Sequence, residues 1–253
     1  MGKIIAYSNQ KGGVGKTTTC VNMSAYLAQK GYKTLIVDLD PQGNATTGLG
    51  FSKSDIKNSV YNAMIDEVPL ANCVIKTEVE NLDILPSSID LAGAEVELVY
   101  IKAREHVLRK VLESAKNCYD YIMIDCPPSL GLLTINALTA ADTVMVPIQS
   151  EYYALEGLSQ LMNSIKLVKK HLNPSLAIEG VVLTMKDNRA IISRQIGDEI
   201  RKYFGKKVYD TVIPRNVRLA EAPSYGKPIM LHDTKCSGAK AYLALTEEFL
   251  NKQ

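Results

Sequence analysis

The chain has 253 residues, and 29 Lys and Arg stand against 27 Asp and Glu, a formal net charge of +2. With 46% hydrophobic and 22% charged residues it can bury a sizeable core, which excludes intrinsic disorder. No run of about 18 apolar residues is present to span a membrane, residues 4–7 are too short for a signal-peptide core, and +2 as a whole-chain figure argues against a polyanionic partner.

Residues 4–8 form an apolar run that predicts a strand. It leads into Gln10-Lys11-Gly12-Gly13-Val14-Gly15-Lys16-Thr17-Thr18, and a helical pattern follows over 17–30. Strand, Gly-rich turn and helix form the context of a phosphate-binding loop. Glycines let successive backbone N–H groups turn toward phosphate oxygens, and the helix opening adds its positive end. Lys16 can neutralise β/γ-phosphate charge and the Thr17 hydroxyl can ligate Mg²⁺. The general pattern GxxxxGKS/T would place Gly at position 10; this chain has Gln10 and an additional lysine, Lys11, at the loop's entrance, where it can point away from its own nucleotide.

Residues 34–39 predict a second strand bearing Asp38, with Asp40 just beyond it. Pro41 and a Gly/Asn/Thr-rich loop to Gly50 follow and read as a mobile first switch. A carboxylate at Asp40 can orient or deprotonate an attacking water, although Asp38 or Asp40 taken alone would also suit a helix cap or turn. Residues 82–85 predict a strand, 103–117 a helix and 121–125 a strand ending in Asp125, which reads as a Walker-B carboxylate holding Mg²⁺ directly or through water. Further strands are predicted at 143–148, 178–185 and 208–213, and helices at 155–171, 191–204 and 238–250. In the helix over 155–171, Leu155, Leu158, Leu161, Met162, Ile165 and Val168 keep helical spacing and read as core.

Several strands are continuous Val/Ile/Leu runs, as in parallel sheets buried on both faces. The alternation predicts an α/β P-loop NTPase fold: a doubly wound, mostly parallel sheet flanked by helices on both faces, in a single domain over 1–253. The five cysteines are odd in number, widely spaced and form no CxxC, which predicts a reduced cytoplasmic setting without disulfides or zinc. His106, His171 and His232 lack metal-ligand spacing.

Five segments, KGGVGKTTT, VDLDPQGNATTGLG, IDCPPSLGLLTINAL, SEYYALEGLSQL and VIPRNVRLAEAPSYGKP, together resemble the ParA/Soj family of chromosome-partitioning ATPases, closest to the chromosomal Soj type. That family lies within the deviant Walker A group, which also holds MinD and the nitrogenase iron protein. The resemblance runs from Gly2 to about Glu248. It implies Mg-ATP-dependent homodimers that sandwich two nucleotides and hydrolyse ATP slowly alone, with Lys11 reaching the partner's phosphates, Gly12, Gly13, Val14, Gly15, Lys16, Thr17 and Thr18 cradling phosphate, and Asp40 activating water. Pro214-Arg215-Asn216 matches the segment bordering the adenine. The ATP dimer of such proteins binds double-stranded DNA non-specifically through residues matching Arg189 and Arg218, a ParB/Spo0J-type partner stimulates hydrolysis, and some members also tune replication initiation. The implied location is cytoplasmic and nucleoid-associated.

Two departures bear on this. The P-loop begins at residue 10, so no N-terminal helix-turn-helix and no sequence-specific repression are expected. The segment 186–194 keeps Arg189, but the residues after it differ from the commoner DxRTxLxxQV form. Charge is unevenly spread: residues 186–240 hold 12 Lys and Arg against 6 Asp and Glu, whereas residues 1–185 hold 16 against 19. A modest basic patch suffices for phosphate contacts.

A MinD-like membrane ATPase is the alternative. It would need a basic amphipathic C-terminal helix, whereas residues 239–250 carry Glu247 and Glu248 and read as a helix packed on the sheet, so no stable membrane association is expected. An iron–sulfur reductase would need paired cysteines, and Cys126 has no convincing partner. A small-molecule ligase or kinase on the same fold would leave the switch and DNA-contact segments unexplained.

Overall fold

The structure is a computed structural model and describes residues 2–151, 154–186 and 191–253. Seven strands, β1 (Lys3–Tyr7), β2 (Thr34–Asp38), β3 (Ile75–Lys76), β4 (Leu82–Leu85), β5 (Tyr121–Asp125), β6 (Thr143–Gln149) and β7 (Ala177–Thr184), form one sheet in the order β3-β4-β2-β5-β1-β6-β7. Among the described residues only the β3–β4 pair is antiparallel. The expected doubly wound, mostly parallel α/β fold is therefore the observed one.

The helices are α1 (Lys16–Gln29), α2 (Asn44–Gly48), α3 (Val60–Met64), α4 (Leu91–Glu97), α5 (Val107–Glu113), α6 (Leu132–Ala140), α7 (Ala154–His171), α8 (Ile191–Phe204), α9 (Val217–Glu221), α10 (Ile229–His232) and α11 (Ser237–Asn251). Strand side chains alternate between two cores, because successive residues point to opposite faces. Ile4, Ala6, Leu35, Val37, Ile122 and Ile124 pack toward α3 to α8, and Ile5, Tyr7, Ile36 and Met123 toward α1, α2 and α9 to α11. In α7 the stripe Leu158, Leu161, Ile165 and Val168 is buried as expected; the Leu155 side chain lies outside the described residues.

Three expectations need correction. Residues 208–213 form no strand: the segment runs along β7 through isolated parallel bridges at Val181–Val208 and Lys186–Pro214. Tyr209 N–H and Ile213 N–H reach β7 carbonyls, but Asp210 N–H and Thr211 N–H turn to the Glu248 carboxylate on α11, at 2.8 Å each, which interrupts the ladder. The helix expected over 103–117 is broken into α5 and two 3₁₀ turns, Arg104–His106 and Ala115–Asn117, with Ala103 left-handed at φ 55°. The stretch to Gly50 after Pro41 is not all loop, because it contains α2.

Strand order builds the site. β5 inserts between β1 and β2, so Tyr7, Asp125 and Asp38 stand in one register row at the carboxyl ends of three adjacent strands. The loop after β1 is thereby flanked by two acidic strand ends that are 87 residues apart in sequence.

Candidate nucleotide site

The loop from Gln10 to Gly15 curls because Gly13 and Gly15 are left-handed, at φ 72° and 84°, where a side chain would be strained. The Gly15 carbonyl then accepts from Thr19 N–H (2.9 Å) and the Thr19 hydroxyl (2.7 Å), which starts α1. Thr184 at the end of β7 donates to the Val14 carbonyl at 2.7 Å and ties the loop to the sheet.

The two lysines diverge. Lys16 is buried, and its ammonium folds back to the Lys11 carbonyl at 3.3 Å. Burial lowers its pKa, while Asp125, Cys126 and Asp40 oppose that shift. Lys11 points elsewhere: its Nζ lies 2.7 Å from Glu151 Oε2. Its N–H donates to Asn9 Oδ1 (3.0 Å), and Asn9 is anchored on the Pro147 carbonyl of β6 (2.8 Å). Gln149 donates to the other Glu151 oxygen.

Three carboxylates gather beside the loop. Asp38 and Asp125 are fully buried and Asp40 is 6% exposed. Asp38 is well satisfied: Oδ2 accepts from Thr46 N–H and the Thr46 hydroxyl, both at 2.7 Å, and Oδ1 from Asp40 N–H at 3.3 Å. Burial raises its pKa and the Thr46 bonds counter this. Neither Asp125 oxygen has a hydrogen-bond partner of good geometry among the described residues. Burial and then the Asp38 charge push its carboxyl well above the usual range, and the nearby Thr17 hydroxyl and Lys16 only temper the shift. A buried, unpartnered carboxylate facing other carboxylates is costly by itself, and beside a P-loop threonine it suits a hard divalent cation with oxygen ligands. Thr17 and Asp125 are thus the residues that fit Mg²⁺.

A cavity of about 400 Å³ opens from Gly15 and Thr18. Met185, Ile213, Pro214 and Asn216 line it, which puts the two expected adenine-border residues next to the P-loop. The polar atoms of Asn216 are already engaged: Oδ1 accepts from Leu219 N–H at 3.3 Å, capping α9, and Nδ2 donates to the Ser237 hydroxyl at 2.9 Å. Its side chain therefore shapes the wall, while Pro214 and Ile213 supply apolar surface.

Arg189 lies outside the described residues. Arg218 is exposed but paired, with Nη1 2.9 Å from Glu221 and Nε 3.7 Å from Asp233. Cys126, considered as a cluster ligand, is buried with its thiol toward the Ile124 carbonyl at 3.9 Å, and burial pushes its pKa up. The C-terminal helix α11 buries Ala239, Tyr242, Leu245 and Phe249; the Tyr26 hydroxyl of α1 donates to the Ala239 carbonyl, and Phe249 meets Tyr121 of β5 edge-on. Its apolar face is thus spent within the fold, and among the described residues no helix is long and apolar enough to cross a membrane.

Residues 2–178 match a family model described as an AAA domain. Over 98% of both chains, the sequence is 60% identical to the sporulation initiation inhibitor protein Soj of Bacillus subtilis. It is 54% identical to the chromosome partitioning protein ParA of Myxococcus xanthus, across 100% of this chain and 89% of that one. The chain belongs to the ParA/Soj family of chromosome-partitioning ATPases. The fold of this ParA/Soj chain is also that of a Mycobacterium smegmatis protein described as cobyrinic acid a,c-diamide synthase, solved with bound ADP and magnesium: TM-score 0.87, 35% identity, covering 99% of this chain and 95% of that one.

The loop and the acidic strand ends stand in recognisable segments of the sequence, whereas Thr46, Ser87 and Glu151, which contact Asp38, Asp40 and Lys11, do not. Thr46 sits in a stretch legible only as Gly/Asn/Thr-rich, Ser87 in a Pro-Ser-Ser turn, and Glu151 in a segment read only for its family resemblance. None carries a local pattern that points to its contact.

Proposed function

We propose that this ParA/Soj protein is a Mg-ATP hydrolase whose ATP-bound homodimer binds double-stranded DNA without sequence preference, and that a ParB/Spo0J-type protein stimulates hydrolysis to release the DNA during chromosome partitioning. In the cell it works in the cytoplasm on the nucleoid, with no stable membrane association. The observation that carries this reading is the divergence of the two lysines. Lys16 is folded into its own loop, while the Lys11 ammonium faces out of it toward Glu151. An outward lysine at a phosphate loop suits the phosphates of a second copy.

The chemistry follows from the residues. Backbone N–H groups of Gly12 to Thr18 receive the phosphates, and Lys16 neutralises charge between them. Thr17 and Asp125 would hold Mg²⁺, and the ion would supply charge neutralisation at the phosphates. Asp40 orients the attacking water and accepts its proton. With Lys11 turned away, a single subunit lacks one cation for the developing charge, so hydrolysis is slow until the dimer and its partner supply it. The amide-synthase activity named for the mycobacterial relative would require an acceptor site besides the nucleotide cavity. The MinD-like reading would require an apolar helical face left free, and α11 has used its own.

Sedimentation of the full chain with ADP, with ATP and with ATP plus duplex DNA tests the reading. ATP shifts the protein from monomer to dimer, Lys16→Ala remains monomeric, and Asp40→Ala stays trapped as a DNA-bound dimer. A chain that remains monomeric in ATP overturns the proposal, and rapid turnover by Asp40→Ala removes that residue from the chemistry.

A further inference from the structure

Behind Asp40 lies a buried hydrogen-bond relay in which each member's role is fixed by what it can donate. The Ser87 N–H can only donate, and it does so to Thr46 Oγ1 at 2.9 Å. The Thr46 hydroxyl therefore accepts there and gives its own proton to Asp38 Oδ2 at 2.7 Å. The Ser87 hydroxyl donates to the Asp40 backbone carbonyl at 2.8 Å, and Gly43 N–H donates to the same oxygen at 2.8 Å. On the other side of the residue, Asp40 N–H donates to Asp38 Oδ1. Asp38, Thr46 and Ser87 are all 0% exposed.

The consequence is geometric. Both peptide groups flanking the Asp40 Cα are held by buried partners, so the direction of its Cα–Cβ bond is set. The carboxylate itself is lightly held, with Oδ1 accepting from Gln42 N–H at 2.9 Å. The backbone is anchored while the side chain keeps acceptor capacity for a water. The anchors come from three separate elements: the end of β2, α2, and the turn after β4.

We propose that Thr46 and Ser87 are positioning residues for Asp40, acting through the backbone rather than touching nucleotide. This rests on reading Asp40 as the residue that activates the attacking water. Removing the Thr46 hydroxyl leaves Ser87 N–H without its acceptor and takes one of two donors from Asp38 Oδ2, which keeps only Thr46 N–H; this unseats the Asp40 turn without altering the phosphate cradle.

The test is steady-state ATP turnover of the full chain with Mg²⁺, run for Thr46→Val, Thr46→Ser, Ser87→Ala and Asp40→Ala. Binding of a fluorescent ATP analogue and thermal melting are measured alongside. Thr46→Val lowers kcat on the order of 10- to 100-fold, as sub-ångström to ångström misplacement of a reacting group does, with KM within about twofold of the parent. Thr46→Ser, which keeps the hydroxyl, restores kcat. Ser87→Ala keeps the N–H bond to Thr46 and loses only the bond to the Asp40 carbonyl; it lowers kcat in the same sense and serves where the valine variant fails to fold. Unchanged kcat in Ser87→Ala and in a folded Thr46→Val, with Asp40→Ala inactive, overturns the positioning role alone. An Asp40→Ala protein that turns over normally overturns the reading of Asp40, and the positioning role with it. A Thr46→Val defect confined to KM or nucleotide affinity also overturns it, since it would place the effect in the cradle.

Discussion

Asp125 is the residue at which stability and function pull in opposite directions. It is fully buried, lacks a hydrogen-bond partner of good geometry among the described residues, and faces the Asp38 charge. Its ionised form therefore costs folding free energy that Lys16 and Thr17 offset only in part, and a bound cation would recover more of it. Asp125→Asn should raise the stability of the nucleotide-free protein by about 1–3 kcal/mol. The same substitution should remove most of the thermal stabilisation that Mg-ATP gives the parent chain, and most of its hydrolysis. Melting curves with and without Mg-ATP read both effects, and a lower melting temperature in the nucleotide-free variant would sink the argument. Residue by residue, much of this site was legible beforehand. Lys16, Thr17, Asp40 and Asp125 belong to local motifs, where backbone geometry and chemistry sit in one short segment. Asp38 was ambiguous because its role depends on Thr46, eight positions on and in another element. The bond from Asn216 Nδ2 to the Ser237 hydroxyl was equally hidden, since Ser237 lies on α11, 21 positions on.

Among elements, the seam between α11 and the segment after α8 shows how one side chain can replace a strand. Glu248 receives two backbone N–H donors and lies 2.7 Å from Lys252. Burial alone would raise its pKa, but these donors override it and bring the carboxyl down to about 2 from an ordinary 4.5. A folded-state pKa below the unfolded value contributes stability that is fully present above about pH 4.5 and is lost as the pH falls through about 2. Glu248→Gln should thus lower stability by about 1.5–3 kcal/mol at neutral pH, the usual range for hydrogen bonds to a charged group. Denaturant titrations from pH 7 down to pH 2 should show the two proteins converging at the acid end; a constant gap across that range would contradict the charge-based account. Residues 208–213 read as a strand because they form a largely apolar run, and no local signal announces that two of its amides turn to a distant carboxylate. The short helices α2, α3, α9 and α10 were missed for a related reason: at four or five residues each they carry no readable period, and α4 and α6, also missed, have only seven and nine.

At the scale of the whole molecule, the basic excess of residues 186–240 acquires a place. α8 packs on one face of the sheet and α9 on the other, and the segment joining them runs along the edge strand β7. The basic side chains Arg201, Lys202, Lys206, Lys207, Arg215 and Arg218 therefore belong to the elements around that edge. Several are partly neutralised, with Arg201 3.6 Å from Asp210 and Arg218 held by Glu221 and Asp233. Under the proposed function, a DNA phosphate must displace Glu221 from Arg218, so two substitutions should act in opposite directions. Arg218→Ala should weaken binding of the ATP form to arbitrary duplex DNA and reduce the slope of log K against log salt by about 2 for a dimer carrying two copies. Glu221→Gln should tighten it. Filter binding at several salt concentrations with ATP and Mg²⁺ measures both, and an unchanged slope in Arg218→Ala would exclude that contact.

The amino-acid sequence by itself determined the fold class, the phosphate loop, the candidate magnesium and water-activating carboxylates, and the ParA/Soj membership. All of these are written in contiguous segments where strand, turn and helix propensities agree with the chemistry they carry. Only the tertiary structure decided which carboxylate is satisfied and which lacks a hydrogen-bond partner among the described residues, because β5 enters between β1 and β2 and sets Asp125 beside Asp38 in one register row. It also decided that the two loop lysines part company, that a glutamate on α11 takes the place of a strand partner, and that Thr46 and Ser87 stand behind Asp40. The deciding contacts join separate elements: Lys11 meets Glu151 across 140 positions, and Ser87 meets Asp40 across 47. A buried polar atom takes whichever partner the packing brings within reach, and that choice leaves no period or spacing in the sequence around either residue.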